Sequence, residues 1–270
     1  MKGPAAVNMN SRNPIFTRGG FQQGAATPDA DELRQMYEAP SYQPGTTTRA
    51  MTMDDVVVRT AMTLGLLALT AVVAWAIVPA GLLFPAMIGA ALVGLGFGLF
   101  LSFKHVTNPA AILTYAAVEG VFIGMASKVL GVYVAGDPDV VGQAAFTTML
   151  VAAVMLALYK FEVIKVTPKF VKFMTAAIGG FFAIVMLSFV LSFFGMGFAH
   201  GIGPMGLLFA AIGAGLAAFS LLMDFEFVKQ GIQQGAPEKE AWFAAFGLTV
   251  TLVWLYLEIL RIYAIINSGD

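Results

Sequence analysis

Four carboxylates stand inside apolar sequence: Glu119 in "TYAAVEGVF", Asp224 and Glu226 in "SLLMDFEFVKQG", and Glu258 in "LVWLYLEILRIY". An ionisable group at the centre of a bilayer costs roughly 3 kcal/mol on insertion scales, so it is retained where it faces a partner or water. Carboxylates placed this way can carry protons or receive cations. Glu258 and Arg261 are three apart and share a helix face, which reads as a local ion pair; Arg261 could instead snorkel outward. A second reading brings Glu258 against Asp224 within the bundle. Two carboxylates in contact cannot both ionise cheaply and would share a proton, making a proton-controlled latch. Losing that proton adds repulsion, which opens a path or admits a cation.

The remaining charges are placed by the same reasoning. Successive helical residues turn by about 100°, so Asp224 and Glu226 point nearly opposite ways and only one can face a given interior site. Asp224 continues the apolar stripe from Phe219 and Ser220 and is assigned inward, leaving Glu226 near headgroups or paired with Lys229. Glu119 lies about 15 Å along a helix from Pro109, near the midplane, and is a second ion contact. Arg59 follows Asp55 by four, a helical ion pair in preference to a gating role. Lys104 and His105 read as loop charges, and His200 as a solvated loop histidine. Trp75, Trp242 and Trp254, with Tyr133, Tyr159, Tyr256 and Tyr263, suit interfacial belts or bundle packing.

These groups need a scaffold that crosses a membrane, and composition supplies it. Hydrophobic residues make up 59% of the chain, charged residues 11%, and the mean hydropathy is +0.81, far from the soluble globular mixture. Seven segments reach the roughly 20 apolar residues a spanning helix needs: 56–79, 82–103, 109–132, 140–159, 173–198, 204–224 and 241–266. The fold class is all-α, a polytopic seven-helix domain over 51–270 behind a disordered tail over 1–50. The tail is rich in Gly, Pro, Gln and Thr and cannot bury enough surface to offset ordering; "DADELRQMYEA" at 29–39 is at most a short surface helix. Thr52 and Asp55 have capping-box spacing, and Pro237 suits the first position of the last helix. The "GLGFG" run at 94–98 lacks the spacing and preceding strand of a nucleotide loop and reads as close helix packing.

Lysines and arginines set the orientation. Lys2, Arg12, Arg18, Arg34 and Arg49, then Lys104, Lys160, Lys165, Lys169, Lys172, Lys229 and Lys239 fall in the tail and even-numbered connections, against Lys128 near the other side. That bias puts the N-terminus in the cytoplasm and "NSGD" outside. The absence of cysteine excludes disulfides and thiolate chemistry. The last span has no lysine for a Schiff base, and neither histidine lies in a span beside a nucleophile, so neither a retinal protein nor an intramembrane serine protease is indicated. No enzyme activity, cofactor or nucleic-acid partner is expected; membrane lipid, protons and calcium as a permeant ion are.

Three stretches carry a resemblance: "NPAAILTYAAVEGVFIG" at 108–124, "AAFSLLMDFEFVKQG" at 217–231 and "LVWLYLEILRI" at 252–262. They are similar to the third, sixth and seventh helices of the transmembrane Bax inhibitor motif (Bax-inhibitor-like) membrane proteins, over about residues 55–266. "NPIF" at 13–16 looks like a feature of one bacterial branch. The resemblance implies seven helices with the last one central, in a bacterial plasma membrane. It also implies a calcium-conducting cation leak that responds to pH through hydrogen-bonded acids on helices six and seven. Those positions fall on Asp224 and Glu258, and the family's basic residue before helix three falls nearest Lys104. The sequence departs in having Glu for the usual Asp, a longer connection between the two acids, and Glu226 as a competing match.

Three functions follow as expectations. The first is a pH-sensitive calcium leak channel with a weak, transient calcium site at Asp224 and Glu258, since two or three carboxylates fall short of a high-affinity cage. The second is a proton-coupled secondary transporter, although no inverted repeat is evident. The third is a non-conducting regulatory protein that meets protein partners through its tail.

Overall fold

The computed structural model describes residues 49–268, apart from Phe193, Phe198 and His200. The tail readings, including the helix over 29–39 and "NPIF", therefore lie outside the described residues, as does the reading of His200. Seven helices are long and apolar enough to cross a membrane. They are α1 (Met53–Ile77), α2 (Leu83–Phe103), α3 (Pro109–Lys128), α4 (Asp139–Lys160), α5 (Pro168–Ser192), α6 (Pro204–Gln233) and α7 (Glu240–Asn267). No strand forms among the described residues, as expected where every backbone polar group must be satisfied within the span. The chain is an integral membrane protein.

Local sequence sets the helix ends. Thr52 caps α1 in the capping box its spacing predicts, with Asp55 returning a bond to the Thr52 amide at 2.9 Å. Asn108 accepts from the Ala110 amide and Pro109 fills the first turn of α3. A π-helical turn, Val129–Val134, carries α3 onward to the α4 connection. Two boundaries differ from expectation. The fifth span is 168–192, because Pro168 starts it and Gly195, at φ +75°, turns the chain after it. The sixth runs past 224 through "MDFEFVKQGIQ", whose polar residues are good helix formers. Pro237 does not open α7. It sits in a bridge with Ala50, and the helix starts at Glu240. Residues 49–51 are thereby fixed to the α6–α7 connection, with the Met51 amide donating to Ala236 at 2.8 Å.

The last helix forms the centre. In its most apolar stretch 67% of residues are buried, against 11% for the span containing α2. It packs on α1, α3, α4 and α6, while α2 leans on α3 and α5 on α6. Leu221, Leu222, Leu255 and Leu260 are fully buried along the α6–α7 seam. Glycines permit the tightest approach. A Cβ at Gly120 or Gly124 of α3 would run into the backbone carbonyls of Leu67 and Ala71 on α1, so this small-xxx-small face lets the two backbones meet. Gly94 and Gly98 do the same for α2: a Cβ there would stand 2.6 Å from Glu119 Oε2 and 3.1 Å from the Tyr115 ring. The packing reading of "GLGFG" is what the structure has.

Candidate functional site

Asp224 and Glu258 meet the central helix α7 at different heights. The side on which α1 begins is called the near side. Towards it, Asp224 of α6 faces Thr251 of α7 and borders a cavity of ≈ 420 Å³, which Val171, Gln230 and Gly247 also line. Its Oδ2 is occluded and has no hydrogen-bond partner among the described residues. A buried carboxyl oxygen without a donor is costly, so the site is suited to accept a proton or a cation. Glu226 borders the same cavity, contrary to the expectation that only one of the two could. Its carboxylate is anchored at the rim by Tyr159 of α4 at 2.7 Å and Gln230 at 2.9 Å. Lys229 lies over the Tyr159 ring, 5.8 Å from its centroid.

Further along α7, Glu258 is buried and Arg261 nearly so. The two are 3.4 Å apart, the local pair that their spacing predicts. Trp254, one turn earlier, donates to Glu258 Oε1 at 3.3 Å. Room for this carboxylate comes from Gly213 of α6, where a Cβ would lie 2.6 Å from Oε1. Arg261 does not snorkel outward. Its second terminal nitrogen donates to the carbonyls of Ala199 and Gly206, the latter at 2.9 Å, and so ties the α5–α6 connection to the bundle.

Asp224 and Glu258 are not brought together. Asp224 sits at the height of Thr251 and Glu258 at the height of Gly213. Seven residues of α7 or eleven of α6 separate these levels, roughly 10–16 Å at 1.5 Å per residue. A contacting pair with a shared proton, and a single calcium ion held by both, are corrected accordingly. The sequence held the signal. Asp224 is nine residues before the end of α6 and Glu258 eighteen after the start of α7, and in an antiparallel hairpin that mismatch displaces them by about 13 Å. Among the described residues no three or more acidic, histidine or cysteine side chains gather into a metal cage.

Glu119 is half-buried between α2 and α3, interacting with Tyr115 one turn earlier and filling the space that Gly94 leaves. The basic residues find other partners than expected. Arg59 meets Glu238 of the α6–α7 connection at 2.5 Å, donates to the Glu238 carbonyl and lies over Trp242. Asp55 is taken instead by Thr52 and Arg49. Hydrogen bonding to Glu238 and the charge of Asp55 raise the Arg49 pKa above its ordinary value. Lys104 caps α2 and does not meet Asp224, while His105 reaches Glu240 at 2.7 Å. Sequence reasoning missed the pairing of Glu238 with Arg59, the buried Thr63–Thr249 hydroxyl pair between α1 and α7 at 2.8 Å, and the Ser127–Tyr256 pair between α3 and α7 at 2.7 Å. Hydroxyl residues in otherwise apolar spans are the signal that could have found both pairs.

Residues 13–268 match the family model described as Bax inhibitor 1 like. A search of curated proteins gives no significant match to the chain.

Proposed function

The chain belongs to the Bax inhibitor 1 like family, and from that premise we propose that it is a pH-sensitive cation leak, passing calcium, in which Asp224 and Glu258 are two separate proton-controlled stations along α7. The observation that carries this reading is the Asp224 carboxyl oxygen, unpartnered and shielded, at the edge of the near-side cavity. Deprotonated, it places a negative charge in a low-dielectric cleft, where a cation is drawn in. Protonated, it is neutral and the attraction is gone. One carboxylate with a hydroxyl beside it is a weak site for a hard cation, which release requires.

Glu258 is the second station, held shut from the far side. Its charge is engaged by Arg261, and the same guanidinium pins the α5–α6 connection. A conducting state requires that guanidinium to let go of one or the other. The lysine and arginine bias assigns the near side to the cytoplasm. The test is calcium flux into liposomes from mildly acidic to mildly alkaline pH. The native chain is expected to conduct more as pH rises, and Asp224→Asn to lose that dependence. Equal flux from the native chain, Asp224→Asn and Glu258→Gln at every pH would end the proposal.

A further inference from the structure

On the far half of the bundle α1 packs against α3 and α7, and α4 against α6 and α7. A cleft remains between α1 and α4, floored by α3 and α7. Its volume is ≈ 490 Å³ and its walls are almost wholly apolar, with Leu64, Trp75, Pro138, Met149, Leu252 and Val253 among the lining residues. The length of this cleft can be read from two helices independently. Along α1 it runs from Trp75 to Leu64, and along α4 from Pro138 to Met149. Each is eleven residues, about 16 Å. Half of a hydrocarbon core of about 30 Å is about 15 Å, so the cleft is one leaflet deep.

We propose that this cleft is a binding site for one acyl chain of a zwitterionic phospholipid from the far-side leaflet, which reaches through the outer ring of helices to the central helix. Helices of a membrane bundle associate without a hydrophobic driving force, so a gap between two spans is filled by lipid as readily as by leucine. Left empty, the gap would forfeit the dispersion contacts of its walls. The hydroxyls that line it already have partners: Ser127 and Tyr256 share a hydrogen bond of 2.7 Å, and Thr148 donates to the Ala144 carbonyl at 2.7 Å. That leaves a floor with no call for water.

The mouth fits a headgroup carrying both charges. Lys128, next to lining residue Ser127, donates to the carbonyls of Trp75 at 2.9 Å and Val78 at 3.0 Å. An ammonium has three hydrogens, and the third has no partner among the described residues, leaving it for a phosphate. Asp137 and Asp139 flank Pro138 on the other lip and suit the headgroup's ammonium. Trp75 stands at the interface level, where tryptophan rings are favoured.

The test uses the full chain in bilayers containing a phosphatidylethanolamine with a diazirine in its acyl chain. Irradiation is expected to label Leu252, Val253 and Tyr256 of α7, the residues of the central helix that line this cleft. Gly142 lines the cleft and has nothing within 4 Å of where its Cβ would stand, so the side chain of Gly142→Phe starts in open space and occupies the groove. It should abolish labelling of α7, and native mass spectrometry should show one fewer retained phospholipid per chain. Gly89 is equally open but lies on the exposed face of α2, so Gly89→Phe should change neither readout. No labelling of α7 in the native chain, or labelling that survives Gly142→Phe in a folded protein, overturns the proposal. Should Gly142→Phe fail to fold, Gly142→Leu serves, with at least a several-fold loss of label expected and an unchanged level counting against the site.

Discussion

The guanidinium of Arg261 stands 3.4 Å from the Glu258 carboxylate and also holds the backbone carbonyls of Ala199 and Gly206. One cation thus joins the central helix to the α5–α6 connection. Removing one partner of a buried pair leaves the other uncompensated and costs roughly 3–5 kcal/mol. Arg261→Met should therefore lower stability by about that amount in detergent or bilayer, read by thermal unfolding. Glu258→Gln combined with Arg261→Met should recover part of the loss, because no naked charge is left behind. A double variant as unstable as Arg261→Met alone would show that the carbonyl contacts, and not the charge pair, hold this end.

Close packing at glycines predicts a graded series. At Gly213 a Cβ would stand 2.6 Å from Glu258 Oε1 and 2.9 Å from Phe181, both movable side chains. At Gly124 it would meet the α1 backbone itself, while at Gly65 it would meet nothing within 4 Å. Overpacking costs typically about 1–3 kcal/mol. Gly65→Ala should be neutral, Gly213→Ala should fall at the lower end of that range, and Gly124→Ala at or above the upper end. Unfolding midpoints in a single detergent check the order, and a neutral Gly124→Ala would contradict the α1–α3 crossing.

Glu238 joins segments that the sequence gives no reason to connect. It accepts from Arg59 at 2.5 Å and from Arg49 at 3.4 Å, and its amide donates to the Arg49 carbonyl at 2.8 Å. The carboxylate is more than a third exposed, so each ion pair contributes under about 1 kcal/mol after solvent screening. Glu238→Gln should leave the global unfolding midpoint nearly unchanged. It should speed hydrogen exchange at the Met51 amide, which donates to Ala236, through local opening. Unaltered exchange there would assign the anchoring to the backbone bridge alone.

The spans, the α1 capping box, the glycine packing of α2 and the Glu258–Arg261 pair were legible because each follows from spacing within one helix or from apolar length. Partnerships between helices were not. Arg59 has a well-placed acid at i−4, yet Glu238 takes it, because the α6–α7 connection folds back beside α1 and offers a carbonyl, a carboxylate and the Trp242 ring together. Helix periodicity cannot report that choice. Glu226 interacts with Lys229, one of the partners its spacing offers, yet the cavity beside Asp224 extends round the helix far enough to reach it as well. The relative height of Asp224 and Glu258 was within reach by counting from the connection, and was obscured by expecting two acids in one apolar core to seek each other.

Separation of the two acids makes a quantitative prediction about flux. Groups more than about 7–10 Å apart with no shared partner act additively, within about 0.3–0.5 kcal/mol. Asp224 interacts with Thr251, whereas Glu258 is held by Trp254 and Arg261, so they share none. In liposomes, the effect of Asp224→Asn on calcium flux should be the same in the native background and in Glu258→Gln. The two variants should also differ in kind. Asp224→Asn removes the near-side attraction and should reduce flux while flattening its rise with pH. Glu258→Gln frees Arg261 from its carboxylate and should loosen the α5–α6 connection, seen as faster hydrogen exchange on the far side. A strong coupling between the variants, with the double no worse than either single, would mean that the acids meet in the conducting state. The separated geometry would then be one of two arrangements of the same pair.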